Sequence, residues 1–449
     1  GRMQILLEQY NPHWKAGDLY EELIDRPQYV NKISGFLDRR EIVVLKGIRR
    51  SGKSSLQKLI INELLKTGVP PHNILFMNLE DYRLSSERSL QTLDEIYTTY
   101  LEHKKPRGKY YIFLDEIQEI PEFERWLRTQ YEQNSAVKFF ITGSSSSLFS
   151  TDLATLLTGR HISLEIFPFS FREYLFYKDN SIIEEVDART PDSLFLTDVG
   201  ETITPLLNRY LDEGGFPEIV KHDHREDNIL LLQQYLTDII LKDITRRFNI
   251  RKIDVLQKLA LYLIYNMGNL INVTRAAEVV GSNRTTVLDL IAYLKEVYLI
   301  NTTSHFAFSP QEQFEVTRPK KAYCIDNGFY SAIKTESRKD YSKRVKNVIF
   351  QHLRFQWERE VYYWNERVMI DFVLSDGTPV GVVFDNNERD QEIYKLFDFI
   401  NRHNIRQAIL INPDKLQIME ENERKVIQLP LWMFLVKARD ELFEFIKEH

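Results

Sequence analysis

The chain has 449 residues, 43% of them hydrophobic and 28% charged, with a formal net charge of −6. That length exceeds one ordinary domain, and that balance belongs to globular proteins with sizeable cores, which excludes disordered and fibrous classes. The acidic surplus gives no global pull toward nucleic acid, so such binding would need a local basic patch, and the single cysteine, Cys324, excludes an internal disulfide and a multi-cysteine zinc site.

No apolar run approaches the roughly 18–20 residues of a membrane span, and the N-terminus has no signal-peptide pattern, so no membrane and a cytoplasmic setting are expected. Gly1-Arg2 ahead of Met3 reads as the remnant of a tag. Residues 3–41 carry two helical patterns, with Asp25 and Pro27 as helix-start chemistry. Arg26 is the one residue there set apart for a role beyond an amphipathic helix.

Residues 42–45, Ile-Val-Val-Leu, read as a strand, and Gly47-Ile48-Arg49-Arg50-Ser51-Gly52-Lys53-Ser54 follows, opening a helical pattern at Ser55. Strand, G-x-x-x-x-G-K-S, then helix is the context a P-loop requires. Glycine lets successive backbone N–H groups converge on one point, where the helix N-terminus adds its positive end. Residues 47–55 are therefore the expected ATP cradle, with Lys53 on the β- and γ-phosphates and the Ser54 hydroxyl on Mg²⁺.

Thr67-Gly68-Val69-Pro70-Pro71 stops the helix, residues 73–79 read as a second strand, and residues 91–102 as a helix. Residues 110–114 form an apolar run ended by Asp115 and Glu116, the form of a Walker B strand buried on both faces. Its carboxyl end belongs beside the P-loop, with Asp115 in the Mg²⁺ shell and Glu116 polarising the attacking water. Residues 137–141 make a further strand ending in Thr142-Gly143 and four serines, where a hydroxyl such as that of Thr142 can sense the γ-phosphate. A helix over 151–157, Thr158-Gly159-Arg160 and a strand over 161–166 complete the alternation, which argues a parallel α/β sheet over residues 40–170.

The motifs at 47–54, Leu-Asp-Glu-Ile-Gln at 114–118, Ile-Thr-Gly-Ser at 141–144, Leu-Thr-Gly-Arg at 157–160 and Phe-Pro-Phe-Ser-Phe-Arg-Glu-Tyr at 167–174 resemble the archaeal and bacterial AAA+-type ATPases. The resemblance covers nearly the whole chain. It implies the AAA+ sheet order with the P-loop strand central, Arg160 as a nucleotide-responsive arginine, and a helical then nuclease-like region after the ATPase core.

Residues 175–235 are helical in composition, interrupted at Gly214-Gly215, where no strand precedes and an unusual backbone conformation is expected instead of a phosphate loop. Arg246, Arg247 and Lys252 cluster after an amphipathic stretch. A helix over 256–265, a second from Thr274, Gly281-Ser282-Asn283 and a long helix from Arg284 have helix-turn-helix spacing, with residues 297–326 as a β wing. Arg246, Arg247, Lys252 and Arg284 are the candidate nucleic-acid contacts. From residue 341 the order α-β-β-β-α-β resembles a PD-(D/E)xK nuclease core. Asp371 is kept, but Lys346 stands where that site needs a glutamate, and Phe384-Asp385-Asn386 replaces Glu-x-Lys. A degenerate nuclease-like domain is expected, with Asp385 the one further candidate ligand.

The expected architecture is α/β: an AAA+-type P-loop domain over 3–175, a helical lid or connector over 176–250, a winged-helix-like domain over 251–335, and a small restriction-endonuclease-like domain over 336–449. The expected function is Mg²⁺-dependent ATP hydrolysis that moves the C-terminal regions, with ADP as product, and with DNA, a protein or further copies of the chain as candidate partners. The alternatives are a nucleotide-gated binding switch with little turnover and a metal-dependent nuclease with an altered site.

Overall fold

The computed structural model describes residues 1–148, 159–315, 317–333 and 340–448. The helix expected over 151–157 lies outside them. The chain divides into two compact units, the first formed by residues 1–167 with 296–298, the second by 168–295 with 299–449.

The first unit is built on five parallel strands: β1 (Ile42–Lys46), β2 (Ile74–Asn78), β3 (Tyr110–Asp115), β4 (Val137–Gly143) and β5 (His161–Glu165), in the order β2-β3-β4-β1-β5. Every residue of β3 and β4 is buried, which is why both read as unbroken apolar runs without alternation. Alternation still governs which core each side chain joins. Ile42, Val44, Leu75, Met77, Ile112, Leu114, Phe139 and Ile141 pack on one face. Val43, Leu45, Ile74, Phe76, Tyr111, Phe113 and Phe140 pack on the other.

The P-loop strand is not central. β1 lies between β4 and β5, one place in from the edge, and β4 takes the middle. After β1 the chain crosses to β2 at the far edge and returns strand by strand, so consecutive strands part company beside β1. A sheet of this kind binds ligands outside its carboxyl ends at such a reversal. Register brings those ends level, with Leu45 beside Thr142, Lys46 beside Gly143, and Leu114 beside Ile141. The distant segment Glu296–Tyr298 completes this unit: the Ser146 N–H donates to the Glu296 carbonyl at 2.8 Å, and the Tyr298 hydroxyl to Glu165 at 2.7 Å.

The second unit begins with the helices Phe171–Lys178, Asn180–Ala188, Ser193–Glu213, Pro217–Lys221 and Arg225–Asp238, and a π-helical turn, Ile239–Thr245, follows. The Gly214-Gly215 turn owes its composition to close approach. Gly214 has φ +81°, and a Cβ there would stand 1.9 Å from a carboxylate oxygen of buried Asp326; one on Gly215 would stand 2.3 Å from the Phe169 carbonyl oxygen. Asp326 accepts the N–H of Gly215 at 2.8 Å and of Gly328 at 2.9 Å.

Helices Ile253–Tyr265, Val273–Val280 and Arg284–Glu296 then form the expected trio. Asn272 caps the second by accepting the Arg275 N–H, and Gly281 at φ +70° closes it. The hairpin-like pair β6 (Ile300–Thr303) and β7 (Lys321–Cys324) is antiparallel. The helix Tyr341–Gln351 leads into β8 (Val361–Glu366), β9 (Val368–Leu374) and β10 (Pro379–Val382); the helix Arg389–Arg402 leads into β11 (Gln407–Asn412), β12 (Gln417–Glu421) and β13 (Arg424–Pro430). These make a mixed six-stranded sheet ordered β12-β13-β11-β10-β9-β8. Among the described residues, no helix is long and apolar enough to cross a membrane.

Candidate nucleotide site

The loop between β1 and the helix Lys53–Lys66 sits at the carboxyl ends of β1, β3 and β4. Its two glycines are needed for different reasons. Gly52 adopts φ +102°, which only glycine takes without strain. Gly47 is instead an approach point: a Cβ there would lie 2.1 Å from the carbonyl oxygen of Ile166. Arg26, 3% exposed, fixes the loop from behind, donating to the Ser51 carbonyl at 2.9 Å and the Phe167 carbonyl at 2.7 Å, with its guanidinium 4.7 Å from the Tyr29 ring. The Arg49 side chain turns away from the cradle and pairs with Glu80 at 2.7 Å. Of residues 47–55, then, Arg49 offers its backbone only.

Lys53 is 3% exposed, and its ammonium donates to the carbonyls of Gly47 at 2.9 Å and Ile48 at 2.8 Å. A phosphate entering the loop would meet a charge held in place. The Ser51 hydroxyl is buried with no hydrogen-bond partner. An orphaned donor and a glycine-lined concavity at a helix N-terminus are the chemistry of an anion cradle.

Opposite the loop stand the two carboxylates. Asp115 accepts from Thr142 Oγ1 at 2.5 Å and from the Ser54 hydroxyl. Burial, reinforced by the neighbouring Glu116 charge, pushes its pKa up to about 6. A carboxyl so strained in its charged form gains from a cation, and with Ser54 it makes the hard oxygen donor set that suits Mg²⁺. Glu116 takes the left-handed conformation, φ +59°, at the strand tip, a position rare for a side-chain-bearing residue and frequent at functional sites. Its N–H donates to Thr142 Oγ1 at 2.9 Å, so this one hydroxyl ties both acids. The Glu116 carboxylate accepts from Ser144 Oγ at 3.0 Å and Gln118 Nε2 at 2.5 Å. Gln118 Oε1 is buried without a partner.

Lys53, Ser54, Asp115, Glu116 and Thr142 are thus brought together. Arg160 is not. It precedes β5, whose first residue, His161, pairs with Ile42 at the start of β1, whereas Lys46 pairs with Glu165 at the P-loop end. A strand length of about 13 Å separates the two levels, and Arg160 pairs with Glu132 at 3.4 Å. The side chain lies at the wrong end of the sheet for its own loop. Ser144 and Gln118 are the residues that sequence reasoning left unassigned: both lie inside quoted motifs, but nothing in four consecutive serines marks the one that meets Glu116.

The basic candidates lie in the second unit. Arg246 and Arg247 are exposed on the short helix Arg246–Phe248, and Lys252 is exposed at the start of the next helix. The Phe248 ring stacks on Tyr293 at 4.1 Å, which joins this cluster to the helix Arg284–Glu296. Arg284, exposed, donates to Thr274 Oγ1 at 2.6 Å at the opposite end of that helix. Nine residues at 1.5 Å each place the two groups about 14 Å apart along it.

Residues 39–175 match the family model described as an AAA domain, and residues 204–340 match one described as a domain of unknown function, DUF8612. An uncharacterized protein of Haemophilus influenzae is 27% identical over 343 residues, 74% of this chain and 78% of its own. An uncharacterized protein of Methanocaldococcus jannaschii is 26% identical over 383 residues, 83% of this chain and 81% of its own. Among solved structures, the Orc1 protein of Aeropyrum pernix in complex with DNA spans 74% of this chain and 95% of its own, at 12% identity and a TM-score of 0.33, a likeness too low to bear on function.

Proposed function

We propose that this chain, whose residues 39–175 match the family model described as an AAA domain, binds ATP with Mg²⁺ and hydrolyses it to reposition the C-terminal regions on DNA. One observation carries the reading: a single hydroxyl, that of Thr142, ties Asp115 and Glu116 at the strand tip facing the P-loop. Loop N–H groups and Lys53 hold the β- and γ-phosphates. Ser54 and Asp115 would hold Mg²⁺, which when bound would offset phosphate charge. Glu116 accepts the proton of the attacking water and keeps it in line. Thr142 fixes the separation of the two acids, and Ser144 orients the base.

ATP turnover by wild type and Glu116→Gln tests this. The variant should bind ATP with little change and lose roughly 10²–10⁴ in rate, the usual share of a general base. An unchanged rate would remove Glu116 from the role.

The switch reading, in which ATP is bound and turnover is slight, has its own support. The Glu116 carboxylate is already engaged by Ser144 and Gln118, so it must be released before it can serve water. Under that reading Gln118→Ala raises basal turnover, and under the first it leaves turnover level or lowers it. Arg160 enters only as a residue that one copy supplies to the next, which makes an oligomer the working form. The division of residues 176–449 into connector, winged helix and nuclease-like parts belongs to this proposal.

A further inference from the structure

In the second unit Asp371 of β9 is bracketed by two ammonium groups. Lys321 of β7 stands 3.2 Å from one carboxylate oxygen, and Lys346 of the helix Tyr341–Gln351 stands 3.3 Å from the other. This is the place where the nuclease-like layout calls for a metal, and the residues do not fit one. Lys346 occupies a ligand position with a positive charge. Asp385 is exposed, and its carboxylate accepts the N–H groups of Asn387 and Glu388. Among the described residues no group of three or more acids, histidines or cysteines could hold a metal.

The cluster is also more than a satisfied ion pair. Two lysines against one aspartate leave one positive charge over. Lys321 is 2% exposed, and among the described residues its ammonium makes one hydrogen bond, to Asp371, although it carries three donors. Tyr323, two residues along β7 and so on the same strand face, is fully buried with a phenol that has no hydrogen-bond partner. That phenol lies near enough to Asp371 to feel its charge. Burial pushes the Asp371 carboxyl up, but Lys346 and Lys321 outweigh it and hold the group below its ordinary value. The Asp371 and Lys346 side chains remain 21% and 26% exposed, so the cluster opens to solvent on one side. Buried donors without acceptors, beside a surplus positive charge, lack one kind of partner: an anion with several acceptor oxygens.

We propose that Lys321, Lys346 and Asp371 form a metal-free oxyanion site that takes a phosphate group, with ammonium donors where a nuclease would place a cation. This goes beyond ATP binding and does not depend on it. The sign of one substitution separates it from a metal site. Asp371 competes with the anion for both lysines, so removing its charge strengthens anion binding, whereas removing a metal ligand weakens it.

The experiment uses the full chain carrying Lys53→Ala, so that the P-loop contributes no phosphate binding, first in EDTA and then with Mg²⁺ or Mn²⁺ in its place. Inorganic phosphate and a single-stranded oligonucleotide are titrated separately into this protein and into the same protein with Asp371→Asn, Lys346→Met or Lys346→Gln. Asp371→Asn should tighten binding, and both Lys346 variants should weaken it, by about tenfold, the scale of a charge-assisted hydrogen bond. If the phosphate is that of a nucleic acid, the oligonucleotide follows the same order and Lys346→Met lowers its salt slope by about one. A response to inorganic phosphate alone supports the site with a free phosphate as its source. Weaker binding in Asp371→Asn, or binding that appears only with Mg²⁺ or Mn²⁺, would overturn the proposal in favour of a metal site. Unchanged binding in variants that melt lower would reduce the cluster to a structural ion triplet.

Discussion

Lys53 spends its ammonium on the carbonyls of Gly47 and Ile48, so a nucleotide must exchange those bonds for bonds to phosphate. Lys53→Ala should nonetheless abolish ATP binding or weaken it severely, because the neutral loop donors alone cannot offset the β- and γ-phosphate charge. Isothermal titration on the folded variant checks this, and unchanged affinity would refute the cradle. Asp115 adds a pH dependence. Its pKa, raised to about 6 by burial and by Glu116, means that the group is neutral below that value and must lose its proton before it can hold a cation. Mg²⁺-dependent affinity should therefore rise as pH is raised through about 6, and Asp115→Asn should flatten that rise, measured as the difference between the two proteins so that titration of the nucleotide cancels. Asp115, Glu116 and Thr142 could be read from the sequence because a strand end fixes where its last side chains go. Ser144, Gln118 and the remoteness of Arg160 could not, since each depends on pairing between segments far apart in the chain.

At the level of elements, glycine positions divide by cause. Gly52 needs positive φ, Gly47 and Gly215 need the empty space of a missing side chain, and Gly214 needs both. The sequence signals the doublet at 214–215 as unusual backbone, but its causes lie elsewhere in the chain: Asp326, more than a hundred residues on, against Gly214, and the Phe169 carbonyl against Gly215. Gly214→Ala should be severely destabilising: left-handed strain costs about 1–3 kcal/mol, and the methyl would overlap the buried carboxylate as well. A thermal melt tests this, and a variant melting with wild type would mean that the turn relaxes freely. Strands β1 to β4 were legible as apolar runs because burial on both faces leaves little other composition. Strand β12 was not, because an exposed, acidic edge such as Gln417–Glu421 has nothing in its composition to mark it as a strand. The π-helical turn before Arg246 was equally silent, being a shift of hydrogen-bond register within an otherwise helical pattern.

On the scale of the molecule, an acidic chain can meet DNA only through local basic groups, and here they fall in two places: Arg246, Arg247 and Lys252 on and just after the short helix Arg246–Phe248, and Arg284 at the start of the helix Arg284–Glu296, about 14 Å along that helix from the Tyr293 ring that stacks on Phe248. Duplex binding, where found, should fall steeply with salt, and Arg284→Ala combined with Arg246→Ala and Arg247→Ala should flatten the salt slope by up to about three. A filter or anisotropy assay at several salt concentrations checks this, and a slope unaltered by the triple change would move the contact elsewhere. One feature of the first unit bears on how the protein is made. Its sheet is complete once residue 167 exists, but Glu296–Tyr298, bound to Ser146 and Glu165, come roughly 130 residues later. At synthesis rates of about 5–20 residues per second, that interval is roughly 7–26 s. For that time the nascent domain leaves the ribosome with the Ser146 amide and Glu165 waiting for their partners, a window in which a chaperone would find its substrate.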